Sequence, residues 1–315
     1  MNHILVPTDF SDDSRAAVDQ AVWLARKGAG DVTLVHALND LRHATEALPE
    51  SEGWSANSGD FNRAVEELKR SSDARLAKLA ARYEKTGVAI AARTVVGKAF
   101  AQVVHGVQEV GFDLVVVGTR GTSGLKRFLV GSTAQRLIQH CPCPVWVVRK
   151  DSKPKVSTIL AAVDFSDASR AAVKHAGELA LILKAKLHLV HVVDDADLRA
   201  VTEQAGGLLP KLSRKDMQAV GVKRLDEMVA GLVPEGVEPE HHVTHGDPWR
   251  MIATSAKRTE ADVVVMGTVG RGGVSGMLLG STAERVLATV NCGVLAVKPA
   301  GFATTVEPAM LSQWK

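Results

Sequence analysis

The sequence is poor in cysteine, with three among 315 residues, and poor in aromatic rings, which make up 4% and include a single tyrosine. Three thiols cannot build a disulfide framework, so the chain reads as the product of a reducing compartment, held together by its core. Charge of one sign is scarce too: 38 Lys and Arg against 35 Asp and Glu leave +3 with His neutral, and the cations are scattered. Such a balance carries no electrostatic footprint for nucleic acid. No apolar run reaches the roughly 18 residues of a membrane span. The opening Met1-Asn2-His3-Ile4-Leu5-Val6-Pro7-Thr8-Asp9 has neither the basic region nor the long apolar segment of a signal peptide. The expectation is a cytoplasmic protein with neither a membrane nor a nucleic acid as partner. Composition also excludes disorder and collagen, since 46% of residues are apolar and 27 Gly stand beside only 11 Pro. The length suits about two domains, each able to bury a core.

What is present is a repeat. Ile4-Leu5-Val6-Pro7-Thr8-Asp9-Phe10-Ser11-Asp12 returns as Ile159-Leu160-Ala161-Ala162-Val163-Asp164-Phe165-Ser166-Asp167, and Leu34-Val35-His36-Ala37 returns as Leu189-Val190-His191-Val192. Gly118-Thr119-Arg120-Gly121 matches Gly267-Thr268-Val269-Gly270, and Gly131-Ser132-Thr133-Ala134 matches Gly280-Ser281-Thr282-Ala283. The spacing is 155 residues at the first two motifs and 149 at the last two, so the first half carries six extra residues between Ala37 and Gly118. The join, Asp151-Ser152-Lys153-Pro154-Lys155, is short and polar and holds a helix-breaking Pro. These features divide the chain into domains over 1–150 and 155–300, with a tail after about Pro299 that matches nothing in the first half.

Within each half, short β-branched runs alternate with amphipathic ones. In the first half strands are expected over 4–7, 32–37, 88–96, 114–117 and 145–148. Helices are expected from Ser11 or Asp12, over 65–82, from Ala99 and from Ser132. Runs such as Leu114-Val115-Val116-Val117 and Val263-Val264-Val265-Met266 have no polar face, which implies parallel strands buried between helices. Each half is therefore read as a doubly wound α/β domain with a five-stranded parallel sheet, a Rossmann-like arrangement. Ligands in such sheets sit at the carboxyl ends of the strands.

The residues that carry chemistry fall at those ends. Gly118 and Gly121, then nine residues, then Gly131-Ser132-Thr133 combine a strand end without a Cβ and a helix start rich in backbone N–H groups and hydroxyls, which suits a phosphate. Gly267, Gly270, Gly280, Ser281 and Thr282 repeat the spacing. Asp9 and Asp164 lie at the same rim, where a carboxylate can accept hydrogen bonds from ribose hydroxyls. A second reading stands beside each of these: the glycines shape a turn, and the aspartates or Ser11 cap a helix.

At these positions the chain resembles a tandem universal stress protein, with the second half similar to the bacterial E-type subclass through Gly267-Thr268-Val269-Gly270-Arg271 and Gly280-Ser281-Thr282-Ala283-Glu284. The resemblance covers residues 3–150 and 157–299. It implies an adenine nucleotide alpha hydrolase-like fold with strand order 3-2-1-4-5, pairing of the two domains through their last strands, and a stress regulator that binds ATP, with Mg or Mn accompanying the nucleotide. Carried over, Pro7, Thr8, Asp9, Ala37, Gly118, Gly121, Gly131, Ser132 and Thr133 would hold nucleotide in the first half. Val163, Asp164, Val192, Gly267, Gly270, Gly280, Ser281 and Thr282 would do so in the second. E-type proteins often lose the phosphate motif in one half, and this sequence keeps it in both. A homodimer is a further partner the family allows.

Four rival signals carry less. There is no Gly-x-x-x-x-Gly-Lys-Ser/Thr loop, so at most slow ATP hydrolysis is expected. A scaffold or carrier of small apolar ligands would use the variable segments over 38–58 and 194–212. His241 and His245 on a strand are about 13 Å apart, too far for one ion, so no metal site is expected from them. Cys141-Pro142-Cys143 lacks redox-pair spacing and reads as packing. In the loops, Arg120, Lys126 and Arg127 outnumber Arg271, so the first site is expected to be the more salt-sensitive.

Overall fold

A computed structural model describes residues 2–39, 59–119, 130–194, 214–269, 279–307 and 313–314. The first half runs β1 (His3–Pro7), α1 (Asp12–Gly28), β2 (Asp31–Leu38), α2 (Gly59–Ala81), β3 (Ile90–Val96), α3 (Ala99–Val110), β4 (Leu114–Gly118), α4 (Ser132–His140) and β5 (Val145–Val148). The second half repeats this as β6 (Thr158–Val163), α5 (Asp167–Leu183), β7 (Lys186–Val193), α6 (Arg214–Val229), β8 (Glu240–His245), α7 (Pro248–Arg258), β9 (Val263–Gly267), α8 (Ser281–Thr289) and β10 (Gly293–Val297).

The ten strands form one sheet in the order β3-β2-β1-β4-β5-β10-β9-β6-β7-β8. Each half thus has the expected 3-2-1-4-5 order. All pairings within a half are parallel, while β5 and β10 meet antiparallel, with Trp146 opposite Leu295. Strand edges that would otherwise be open are paired at this seam.

Alternation along the strands feeds two cores. Ile4 and Val6 belong to the core that takes in α1, α2, α5 and α6, and Leu5 to the one that takes in α3, α4, α7 and α8. Both cores run through the seam, so the halves share apolar interior. Trp146 is fully buried there, and Gly293 makes room for it: a Cβ on Gly293 would lie 2.8 Å from the indole Nε1.

Local rules place the helices that flank the sites. Ser11 caps α1 by accepting from the Ser14 N–H at 3.2 Å, with Asp12 and Asp13 in the first turn and Arg26 and Lys27 in the last, complementing the helix dipole. Ser166 caps α5 in the same way.

The tail does more than its lack of period suggests. It returns to the first half, where Trp314 packs into the core beside Phe112 and donates its Nε1–H to the Gln102 carbonyl at 3.0 Å. The Gln313 side chain bonds both backbone groups of Val96 on the outer strand β3. Gly106 of α3 accommodates the indole: an added Cβ would sit 2.5 Å from the ring.

Candidate functional site

At the carboxyl ends of β1, β2 and β4 lies a cavity of about 230 Å³. Of the first-half positions singled out from sequence, Pro7, Thr8, Asp9, Ala37, Gly118, Gly131, Ser132 and Thr133 all line it. Gly121 lies outside the described residues, as do Arg120, Lys126 and Arg127 and nearly all of both variable segments. The floor is apolar, from Val35, Val103, Val117 and Ala134. Thr8, Asp9, Ser14, Ser132 and Thr133 add polar groups to the lining, which is the composition of a small-molecule site.

Asp9 does not cap α1. Its Oδ1 accepts from the Ser11 backbone N–H at 3.0 Å and from the Ser11 hydroxyl, so it orients the residue that caps. Asp164 treats Ser166 identically. Opposite Asp9, Gly131 holds extended backbone at the start of α4 and donates its N–H to the Thr119 carbonyl at 2.7 Å. This bond draws the two ends of the intervening loop together beneath the helix start. The first N–H groups of a helix lack intrahelical partners and attract anions.

Gly118 also has a packing role. A Cβ there would lie 2.5 Å from the Asp13 backbone oxygen, so the missing side chain admits the first turn of α1. Gly267 is the same case: its Cβ would meet the Ala168 Cβ at 2.8 Å. These glycines bring a helix start, and with it the Asp9 or Asp164 turn, hard against the strand end.

A duplicated support next to each aspartate is not among the motifs singled out from sequence. Phe10 and Phe165 hold left-handed backbone, with φ of 65° and 64°, an unfavourable conformation for a bulky residue. Each ring is covered by an arginine, Arg75 or Arg224, at 3.9 Å, and packs on a histidine, His36 or His191. His36 Nδ1–H donates to the Thr8 carbonyl at 2.7 Å and His191 Nδ1–H to the Val163 carbonyl at 2.8 Å. The signal was in the repeat: both histidines stand in the Leu-Val-His runs, and the arginines are separated by the same 149 residues as the glycine motifs.

The second half places Val163, Asp164, Val192, Gly267, Gly280, Ser281 and Thr282 at the equivalent positions, with Gly280 bonded to the Thr268 carbonyl at 2.7 Å. Gly270 and Arg271 lie outside the described residues. The two rims differ in polarity. In the first, Thr8 and Ser14 hydroxyls are 3.0 Å apart and Thr119 donates to Asp13 at 2.7 Å. In the second, Val163 and Ala168 replace Thr8 and Asp13, and the buried Thr268 hydroxyl finds no hydrogen-bond partner among the described residues.

Signals set aside from sequence are explained by packing. Cys141 and Cys143 are buried with sulfurs 3.5 Å apart, and their mutual hydrogen bond together with burial holds the Cys143 thiol well above its ordinary pKa. Burial pushes Cys292 up to about 11. Neither thiol is poised to react at neutral pH. His241 is paired with Asp226 at 2.9 Å. No helix among the described residues is long and apolar enough to cross a membrane.

Comparison with known proteins agrees with this architecture. The model of the Universal stress protein family matches residues 1–149 and 155–298. The chain is 27% identical to Universal stress protein E of Escherichia coli K12 over 317 residues, covering 97% of this chain and 96% of that protein. It is likewise 27% identical to the Universal stress protein E homolog of Haemophilus influenzae, covering 94% and 97%. The crystal structure of a universal stress protein from Archaeoglobus fulgidus superposes with a TM-score of 0.67 at 22% identity, covering 95% of this chain and 98% of that one.

Proposed function

The chain belongs to the universal stress protein family, and from that premise we propose that it binds adenine nucleotide, ATP in the first instance, at the rim of each half and acts as a cytoplasmic stress regulator whose associations depend on occupancy. The observation that carries this reading is the convergence in one cavity of Asp9 after β1, Ala37 on β2 and the start of α4, three segments scattered through more than 120 residues of sequence. Asp9 would take the ribose hydroxyls, the backbone around Ala37 the adenine edge, and the N–H groups and hydroxyls at Ser132 and Thr133 the phosphates. Asp164, Val192, Ser281 and Thr282 would serve the same roles in the second half. The volume of about 230 Å³ suits the nucleoside, with the phosphates directed along α4. Mg or Mn would arrive with the triphosphate.

Titration calorimetry of the full chain, stripped of copurified nucleotide, tests the reading. ATP is expected to bind, Asp9→Ala to weaken one component by about tenfold, in line with loss of a charged hydrogen-bonding group, and Asp9→Ala with Asp164→Ala to remove most of the heat. A flat trace at millimolar ATP for the unaltered chain overturns it.

A further inference from the structure

Away from both rims, near the amino ends of the edge strand β8 and its neighbour β7, His188 of β7 stands beside Glu240 and His242 of β8. His188 and Glu240 are register partners, and Glu240 and His242, two residues apart, share a face of β8. This face is the one covered by α7, since its last residue, Arg258, touches His242. His188 Nδ1 lies 3.0 Å from His242 Nε2 and 3.4 Å from Glu240 Oε2, and one donor atom from each of the three residues falls within 4.8 Å of the others. Donors bound to a tetrahedral ion by bonds of about 2.1 Å are separated by about 3.4 Å. Two of the three donor separations already stand at close to that spacing, and the third lies within 4.8 Å, on two register-locked strands.

We propose that His188, Glu240 and His242 form a divalent transition-metal site, of the kind that takes Zn²⁺, with two nitrogens, one carboxylate oxygen and a fourth position left to water. The donor set is borderline in softness, which favours Zn²⁺ over the oxygen-seeking Mg²⁺. His188 is 7% exposed, so its ring is held by the core; Glu240 lies at the surface and gives the ion its path in. The first half has Thr33, Ala91 and Arg93 at the matching positions, so the site belongs to the second half alone.

The same geometry names a competitor. The Arg258 guanidinium donates to His242 Nδ1 at 3.2 Å, which fixes the ring with its proton on Nε2, donating to His188 Nδ1. An ion needs the lone pair of Nε2, so the neutral ring must carry its proton on Nδ1 instead. Two donors would then face each other, and the exposed Arg258 side chain must swing away. Metal-bound histidines ordinarily present that second N–H to an acceptor. Arg258 therefore acts as a brake on the site, one that an amide would release.

Calorimetry with Zn²⁺ and the absorption spectrum of bound Co²⁺, both on the full chain, provide the test. One ion per chain is expected, with a tetrahedral Co²⁺ spectrum. The surface variant Glu240→Ala and the half-buried His242→Ala, each checked for an unchanged far-UV spectrum, are expected to weaken binding by at least about tenfold. Arg258→Gln, which offers the Nδ1–H an acceptor, is expected to tighten it several-fold. Binding by the unaltered chain no stronger than by the double variant His188→Ala, His242→Ala overturns the proposal, and so does weaker binding by Arg258→Gln.

Discussion

Arg149 and Lys298, matching residues just past β5 and β10, each reach across the seam to a helix of the opposite half. Arg149 Nη2 donates to the Leu287 carbonyl of α8 at 2.7 Å, and Lys298 Nζ donates to the Gln139 carbonyl of α4 at 2.8 Å. Both carbonyls belong to a last helical turn, where the backbone lacks intrahelical donors and the dipole favours a cation. The seam is thus tied twice over by reciprocal caps, each on the helix whose start borders a candidate rim.

Burial of Lys298, which is 6% exposed, lowers its pKa to about 8 from an ordinary 10.5. Between those values the unfolded chain binds the proton and the folded chain does not, so this residue makes stability rise with pH across that window. The difference in unfolding free energy between the unaltered chain and Lys298→Met is expected to shift in favour of the former by on the order of 2 kcal/mol from pH 8 to pH 10. Urea unfolding at the two pH values measures it, and a pH-independent difference refutes the burial argument.

Gly118→Ala places a methyl against the Asp13 carbonyl, backbone that has no room to retreat. A loss of about 1–3 kcal/mol is expected, as for other overpacked sites, together with weakened nucleotide binding because the Asp9 turn moves with α1. Chemical denaturation and ATP titration of the same variant report both effects. Unchanged stability would count against the packing role assigned to this glycine.

Thr268 offers the converse experiment. Its hydroxyl is unpaired among the described residues where Thr119 has Asp13. Ala168→Asp supplies the missing acceptor in the first turn of α5 and is expected to stabilise the chain by about 1 kcal/mol. In Ala168→Asp with Thr268→Val the gain should shrink to the dipole contribution alone; a gain that survives intact places its origin elsewhere.

Trp314→Ala removes an indole that fills the space above Gly106 and bonds the Gln102 carbonyl. Loss of about 3–5 kcal/mol is expected, the range for truncating a large buried ring. Because α3 also lines the cavity through Ala99 and Val103, ATP affinity should fall with it. Thermal unfolding followed with and without ATP tests both.

Salt separates the two rims. Asp164→Ala leaves the first site, whose loop carries Arg120, Lys126 and Arg127, and Asp9→Ala leaves the second, with Arg271. ATP affinity is expected to fall more steeply with ionic strength in Asp164→Ala, because the first-half loop has the more cationic sequence. Equal slopes would mean those cations are solvated.

The repeat made the topology readable: once Leu114–Gly118 and Val263–Gly267 are seen to lack a polar face, parallel strands between helices follow, and the paired motifs place both rims. Cavity residues such as Asp9 and Ser132 were legible because their chemistry is local to a strand end or a helix start. The role of Gly118 was not, since it depends on where Asp13, over a hundred residues earlier, comes to rest. Trp314 and Gln102 meet across 212 residues, and His188 and His242 across 54, with no periodicity to announce either. The histidine cluster was hidden for a further reason: neighbours along β8 suggested a His241 and His245 pair, whereas pairing with β7 joins His242 to His188.

The antiparallel meeting of β5 and β10 turns the parallel strands of one half against those of the other, so the carboxyl ends that carry the two candidate rims point in opposite directions. What lies between the two mouths is the apolar interior that both halves build.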